Sequence, residues 1–182
     1  MTKWFISDTH HGHEKCWSTF KRPDGTPLRD FSSTEEMDET ILQNINKVVK
    51  YNDTIIHCGD VVISKKYLHL ISRYNCKDIR LVRGNHDIFS MEDYINAGFT
   101  DILGVYVLPK IRVICSHIPL HYDSLDRWHQ NWHGHLHFGT VKNKYQKPHL
   151  KYRNISVEMT EYKPIQYEEL VADMERDLNI KI

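Results

Sequence analysis

The chain of 182 residues lacks several features that would place it in a specialised class of protein. It has no run of about 18 apolar residues, so it predicts no membrane span. The N-terminus lacks a basic region followed by a long apolar stretch, so we predict no signal peptide. Its 24 Lys and Arg residues balance 24 Asp and Glu residues. A formal charge of zero gives no overall field that favours nucleic acid or an anionic membrane.

Cysteine is also scarce, and none of the four residues forms a C-x-x-C pair. Cys58 and Cys115 lie in apolar runs, as buried thiols do. Reduced thiols without a signal peptide are typical of a cytoplasmic protein, which is the location we expect. No internal repeat, low-complexity tract or linker is visible. We therefore expect residues 1–182 to form a single domain.

Histidine, by contrast, is abundant, with 13 residues. Five clusters rich in Asp, Asn and His close strand-like segments: Asp8-Thr9-His10, Gly59-Asp60, Gly84-Asn85-His86-Asp87, Ser116-His117 and Gly134-His135-Leu136-His137. Because strand ends on one edge of a sheet converge, we expect these clusters to lie together. Carboxylate, amide and imidazole groups gathered in one place indicate a metal site of hard and borderline ligands. Two metals acting on a phosphate ester is the natural interpretation.

The apolar pattern changes in type along the chain. Predicted strands at 3–7, 54–58 and 79–83 alternate with predicted helices at 34–50, 65–74 and 91–97. A hairpin at 105–108 and 112–115, strand candidates at 128–133 and 155–157, and a helix at 168–178 follow. Helix-linked strands followed by hairpin-linked strands predict an α/β fold, a two-sheet β-sandwich flanked by helices in α/β/β/α layers. Residues 11–32 form a long predicted loop, and such loops are usually functional.

In this order and at these strand ends, the five clusters resemble the motif set of the calcineurin-like metallophosphoesterases. The resemblance covers residues 4–137, with weaker similarity to about residue 170. The chain is also similar to small, compact bacterial and phage members, which carry a His-Gly-His-x-His segment and a late Asn-x-Ser-Val-Glu segment, here Asn154–Glu158. The resemblance implies a metal-dependent phosphoric ester hydrolase.

The resemblance also implies a ligand set for two adjacent divalent metal ions. Asp8, His10 and His137 would hold the first ion. Asn85, His117 and His135 would hold the second, and Asp60 would bridge both. A shared carboxylate offsets part of the repulsion between two dications. Such mixed oxygen and nitrogen ligands accept Mn, Fe, Zn, Co or Ni, and the sequence leaves the choice open.

The same resemblance implies how the reaction runs. A hydroxide that bridges the metals would attack the phosphorus, while His86 would donate a proton to the leaving oxygen. Asp87 would hold the His86 imidazole, or would cap a helix that follows it. Asn85 would also contact the substrate. Arg22, in the long loop, could grip a phosphate through its guanidinium fork or could simply be solvated.

Other histidines have simpler expectations. His57 is predicted to be a buried packing residue. His133 is predicted to be either a wall of the site or a core residue. His13 could approach the pocket, although solvent exposure in the loop is the simpler expectation.

We expect the substrate to be a small phosphate ester or a nucleotide, with a diester slightly favoured over a monoester. A nuclease that acts on a polynucleotide is the alternative. In that case the basic stretch at 142–153, in which Tyr145 and Tyr152 lie among basic residues, would contact the nucleic acid. Such a stretch is more often a solvated loop. A binding scaffold without catalysis is a third interpretation, against which the complete ligand set argues. No membrane partner is expected, and the sequence leaves the oligomeric state open.

Overall fold

The computed structural model describes residues 1–182 and places nine strands in two sheets. The first sheet has the order β4-β3-β2-β1-β9. Its strands are β1 (Lys3–Ile6), β2 (Thr54–His57), β3 (Asp78–Val82), β4 (Asp101–Leu103) and β9 (Ile165–Gln166). The first four run parallel, and β9 pairs antiparallel with β1. The carboxyl ends of β1, β2 and β3 therefore lie on the same edge.

The second sheet has the order β5-β6-β7-β8. Its strands are β5 (Tyr106–Leu108), β6 (Val113–Ser116), β7 (Gln130–His133) and β8 (Tyr152–Asn154). β5 and β6 form the predicted antiparallel hairpin, whereas β6, β7 and β8 run parallel. The five polar clusters lie at or within two residues of the carboxyl ends of β1, β2, β3, β6 and β7.

Four α-helices accompany the sheets: α1 (Lys15–Ser18), α2 (Thr34–Val48), α3 (Met91–Ala97) and α4 (Tyr167–Leu178). Four 3₁₀ segments complete the structure: Lys65–Arg73, Pro109–Ile111, Tyr122–Leu125 and Val157–Met159. No helix of the protein combines the length and the apolar character needed to cross a bilayer.

Helix α2 shows how the sequence builds the first layer. The Ser33 side chain accepts a hydrogen bond from the Glu36 backbone N–H and so caps the helix. Met37, Ile41 and Ile45 recur at helical spacing and are all fully buried. They pack into a core that α2 shares with one face of the first sheet.

A second core lies on the other face of the first sheet. Because side chains alternate along a strand, Ile6 enters the first core and its neighbour Phe5 enters the second. Phe5 packs edge-to-face on Trp132 of β7, with ring centroids 5.0 Å apart. Leu170 and Met174 of α4 join this second core. Two sheets flanked by helices confirm the predicted fold.

The structure differs from the predicted elements in four places. The helix predicted at 65–74 is a 3₁₀ helix over Lys65–Arg73. The strand predicted at 155–157 lies earlier, at 152–154, because pairing with β7 ends where His133 meets Asn154. Beyond that point only an isolated bridge joins Ser156 to Ser7. The short strands β4 and β9 were not predicted, since two or three residues carry no readable periodicity. The loop at 11–32 contains helix α1.

Candidate metal centre

The two sheets bring the polar clusters together at one edge. Two groups of side chains have donor atoms within 4.8 Å of one another: Asp8, His10 and His137 in one, and Asp60, His117 and His135 in the other. Asn85 joins the second group, since its Oδ1 lies 2.9 Å from His117 Nε2. The structure thus assembles all seven predicted ligands into two potential metal-binding clusters.

Five of these seven ligands have a left-handed backbone. The φ angles are 59° at Asp8, 47° at His10, 56° at Asp60, 69° at His135 and 49° at His137. Such a conformation costs a non-glycine residue on the order of 1–3 kcal/mol and persists only where its surroundings enforce it. It turns the chain sharply as it leaves each strand and aims the side chains at one point. Sequence reasoning missed this strain, whose only signal is the enrichment of Asp, Asn and His in that region.

Two glycines let the ligand-bearing turns approach each other closely. A Cβ atom on Gly84 would lie 2.3 Å from Asp60 Oδ1. A Cβ atom on Gly134 would lie 2.0 Å from Ser7 Oγ and 2.2 Å from Asp8 Oδ2. Any side chain at either position would therefore displace a ligand carboxylate.

Asp60 lies between the two groups. Its Oδ1 accepts a hydrogen bond from the His86 backbone N–H at 2.8 Å, which fixes the carboxylate. Its Oδ2 is 3.5 Å from His10 Nε2 and 3.2 Å from His117 Nε2. One oxygen atom of one carboxylate thus faces a histidine of each group.

The neighbourhood of His117 fits a bound cation. Its Nδ1 donates to the Cys58 carbonyl at 2.8 Å, so in the neutral ring Nε2 carries a lone pair. That lone pair faces the Asp60 carboxylate, and two electron-pair donors need a proton or a cation between them. Burial alone lowers the pKa of His117, but the adjacent Asp60 and Asp8 carboxylates raise it overall. In the first group, burial and the charge of Arg29 hold the pKa of His10 well below its ordinary value, so its ring is neutral and able to ligate.

A fully buried arginine supports the first group from behind. Arg29 Nη2 donates to the Asp8 carbonyl at 2.5 Å and Nη1 donates to the Thr9 carbonyl at 2.8 Å. The same guanidinium is ion-paired with Glu158, whose Oε1 accepts from His137 Nδ1 at 2.8 Å. Burial raises the pKa of Glu158, but Arg29 and His137 outweigh it and lower that pKa to about 2. The carboxylate thus fixes the His137 tautomer and leaves Nε2 free to ligate.

Sequence comparison places this arrangement in a family. The family model of the calcineurin-like phosphoesterases matches residues 1–175. The chain belongs to this family. Its membership supports a metal-dependent phosphoester hydrolase, and the two clusters are where the divalent ions of the family would be held.

Two individual proteins resemble this calcineurin-like phosphoesterase along most of their length. An uncharacterized protein of Methanocaldococcus jannaschii is 31% identical over 180 residues, which span 95% of this chain and 91% of that protein. The crystal structure of a protein of unknown function from Aquifex aeolicus matches with a TM-score of 0.65 at 24% identity. The match covers 93% of this chain and 97% of the other, and it shows a shared fold.

Asp87 corrects one prediction. Its carboxylate does not reach the His86 ring, because backbone N–H groups of Asp60, Val61 and Gly84 donate to it at 2.8–3.0 Å. It does not cap the following helix either, since Ser90 caps α3. Asp87 instead fastens the turn that carries Asp60 to the turn that carries Asn85. In this phosphoesterase it is a positioning residue.

The other predicted site residues lie around the rim. His86 is exposed, with its ring centroid 5.5 Å from that of His10. Arg22 stacks its guanidinium 3.8 Å above the ring of Phe138, the residue after His137. Its Nε is buried and has no hydrogen-bond partner within the protein. His86 therefore lies beside the first group, whereas Arg22 contacts the residue that follows His137.

The remaining histidines divide between core and rim. His57 is fully buried, with Nε2 3.0 Å from Thr9 Oγ1, which confirms the expected packing role. His133 is also buried and donates to the Gly134 carbonyl, so it is a core residue beside the site. His13 lies 5.4 Å from His10 between ring centroids and is half-buried, so the loop-solvation expectation was wrong.

Proposed function

We propose that the protein hydrolyses phosphodiesters with two adjacent divalent ions, a nucleotide diester being the favoured substrate. One observation carries the dinuclear proposal: Asp60 Oδ2 faces His10 Nε2 at 3.5 Å and His117 Nε2 at 3.2 Å, one from each group. Asp8, His10 and His137 would hold one ion, and Asn85, His117 and His135 the other. Bound divalent ions supply positive charge to phosphate oxygens and lower the pKa of a water molecule.

The chain's own residues would position the ester and move the proton. The Asp60 carboxylate fixes the His86 backbone through the hydrogen bond from His86 N–H. The exposed His86 imidazole can carry a proton, which we assign to the leaving oxygen. A nucleotide diester releases a strongly basic alkoxide, so it needs this proton most. This need separates esters with an alkoxide leaving group from activated aryl esters.

Arg22 is the candidate for a direct phosphate contact. Its guanidinium carbon lies 3.8 Å from the ring centroid of Phe138, the residue that follows His137 in the sequence. A guanidinium in this position can donate to two oxygens of one phosphate. The Arg22→Ala variant should then raise KM more than it lowers kcat, and the exposed Arg176→Ala should change neither.

A combined assay tests the proposal. The purified chain is first analysed for metal, and then assayed with added Mn, Fe, Co, Ni or Zn. Substrates are bis-p-nitrophenyl phosphate, p-nitrophenyl phosphate, and cyclic and linear dinucleotides. We expect two metals per chain and faster turnover of diesters. A single metal at full activity would contradict the dinuclear centre, and turnover of monoesters alone would contradict the substrate.

A further inference from the structure

One stretch of the neutral chain has charge of a single sign. Residues 127–157 contain six Lys and Arg residues and no Asp or Glu. The rest of the chain holds 18 basic and 24 acidic residues. Positive charge is thus concentrated in one segment, although the net charge is zero.

Most of this charge lies on a loop that we call the basic arm, residues 138–151. The arm leaves the metal centre directly after His137 and returns at β8, with a bridge between Lys142 and Pro148 closing it. Asn154 Nδ2 fastens its base by donating to the carbonyls of His137 at 2.7 Å and Gly139 at 2.9 Å. The position of the arm is therefore tied to a metal ligand.

Three lysines of the arm have no acidic partner within the protein. Lys142, Lys144 and Lys147 are exposed, and none of them forms an ion pair. By contrast, Lys151 donates to the Leu125 carbonyl, and Arg153 is paired with Asp173 at 2.8 Å. Three ammonium groups thus remain available to an anionic ligand.

Exposed aromatic rings accompany these lysines. Tyr145 is 71% exposed and Tyr122 is 48% exposed, so both rings present a face to solvent. Lys144 Nζ lies 5.0 Å from the Tyr145 ring centroid. Tyr122 comes from the segment after His117, and its ring lies 5.0 Å from His149 on the arm. These rings and lysines share one cleft, which also includes Lys142 and Asn143.

A row of rings joins this cleft to the metal centre. Ring centroids are 5.0 Å apart from Tyr122 to His149 and 5.4 Å apart from His149 to Tyr152. The next step, from Tyr152 to the buried His133, is 6.1 Å. His133 stands two residues before the ligand His135. Packed rings therefore connect the cleft to the turn that carries His135.

We propose that the basic arm and Tyr122 bind a single-stranded nucleic acid and deliver its phosphodiester to the metal centre. This inference rests on the proposed diesterase function for its catalytic part only. Single strands are bound by basic grooves that follow the backbone and by exposed aromatic rings on which bases stack. A duplex hides its base faces, so it would bind more weakly. The acidic residues beside the cleft, Asp123 and Asp126, lie on the Tyr122 segment and leave the arm itself purely basic.

A binding measurement with a matched control tests the proposal. The ligands are fluorescent oligothymidylate and oligouridylate of about 12 nucleotides, with phosphorothioate linkages that resist turnover. The arm variant is Lys144→Gln with Tyr145→Leu. The control is Lys77→Gln with Tyr51→Leu, because Lys77 Nζ also lies over an exposed tyrosine, at 5.8 Å. That pair precedes β2 and β3 and so lies at the opposite edge of the sheet from the site.

We expect the full-length wild type to bind both strands by fluorescence anisotropy. The arm variant should bind roughly tenfold or more weakly, since stacking and a phosphate contact are both lost. The control should bind like the wild type. Between about 50 and 200 mM salt, the slope of log K against log salt should become shallower by roughly 0.7 for each lysine removed. Lys142→Gln with Lys147→Gln, which alters only exposed side chains, should shift the slope in the same direction.

Equal binding by the wild type and both arm variants would overturn the proposal, as would an absence of strand binding by the wild type. If a duplex bound as tightly as a single strand, base stacking would not contribute to binding, and the proposal would be overturned as well. Hydrolysis of bis-p-nitrophenyl phosphate by the wild type is measured separately. If the wild type does not hydrolyse this diester but the arm variants still bind single strands more weakly, the proposed diesterase function is wrong. The proposed strand-binding role of the arm then stands on its own.

Discussion

Arg29 and Glu158, which lie 129 residues apart in the sequence, form an ion pair that is closed to solvent, with 2.7 Å between Nη2 and Oε1. The pair is placed directly behind the first ligand group. Arg29 holds the carbonyls of Asp8 and Thr9, and Glu158 holds the ring of His137. A single buried contact therefore sets the position of two ligands from distant parts of the chain.

Removing the charge of Glu158 should damage both stability and metal binding. Glu158→Gln leaves a buried guanidinium without its counter-charge, which typically costs about 3–5 kcal/mol. It also weakens the acceptor of His137 Nδ1, for which a loss in metal affinity of about 10–100-fold is typical. Urea unfolding and competition with a metal-binding dye measure the two effects. The exposed Glu161→Gln, which loses only a surface pair with Lys163, should change neither.

The bridging role proposed for Asp60 predicts the loss of two metals from one substitution. Asp60→Asn should lower the metal content of both groups and abolish turnover, because its carboxylate faces a histidine of each. His117→Ala should mainly weaken the second metal. Elemental analysis and diester assays measure this, with the exposed Asp101→Asn as the control. Two metals and a near-normal rate in Asp60→Asn would refute the bridge.

The importance of His86 should depend on the leaving group. A nucleotide alkoxide needs a proton as it departs, whereas p-nitrophenolate hardly does. His86→Asn should therefore lower kcat/KM on a nucleotide diester by about 10²–10⁴-fold, with a much smaller loss on bis-p-nitrophenyl phosphate and unchanged metal content. The exposed His69→Asn serves as the control. An equal loss on both substrates would make His86 a positional group, and loss of a metal would make it a ligand.

Gly84 should tolerate no side chain, for a steric reason. The Cβ of Gly84→Ala would lie 2.3 Å from Asp60 Oδ1 and 2.6 Å from Asp60 N. Because Asp60 faces both ligand groups, its displacement should reduce the content of both metals. Gly104→Ala is the matched control, since its Cβ would meet nothing within 4 Å. Normal metal content in Gly84→Ala would show that the turn can shift without cost.

His57 should make the fold sensitive to acid. Burial lowers its pKa to about 3, whereas an unfolded histidine has a pKa near 6.5. Below about pH 6.5 His57 is therefore protonated in the unfolded state but not in the folded state. The free energy of unfolding then decreases as the pH falls toward 3. The slope should approach about 1.4 kcal/mol per pH unit.

His57→Gln removes this titration and keeps a polar group near Thr9. The difference in unfolding free energy between wild type and variant, measured in urea from about pH 7 to pH 4, isolates His57 from the carboxylates that titrate in both proteins. Parallel pH profiles would show that His57 is protonated in the folded state.

The sequence predicts those parts of the structure that rest on local chemistry. The helix at 91–97 has the predicted bounds because Ser90 and Gly98 mark its ends. The ligand clusters are readable because most of them close an apolar segment of strand length. Parallel strands then bring the clusters to one edge without any further information.

The remainder depends on contacts that no local pattern encodes. Arg29 lies in a polar loop, where the sequence predicts a solvated side chain. Its burial follows from the ion pair with Glu158, which is distant in the sequence. Asp87 follows His86 directly, yet its carboxylate turns toward backbone N–H groups of the Asp60 turn. Left-handed backbone at five ligands opposes local preference and is imposed by the assembled sheets.

The pairing of β1 with β9 has a consequence for the order of synthesis. All seven proposed metal ligands precede residue 138. Glu158, which binds His137 and Arg29, and β9, which pairs with β1, emerge from the ribosome later. Until then Arg29 has no counter-charge and one edge of β1 is open. A growing chain would thus contain all seven of these residues before the contacts that position them could form. Metal uptake should follow the emergence of β9, since the contacts that enforce the strained turns are long-range ones.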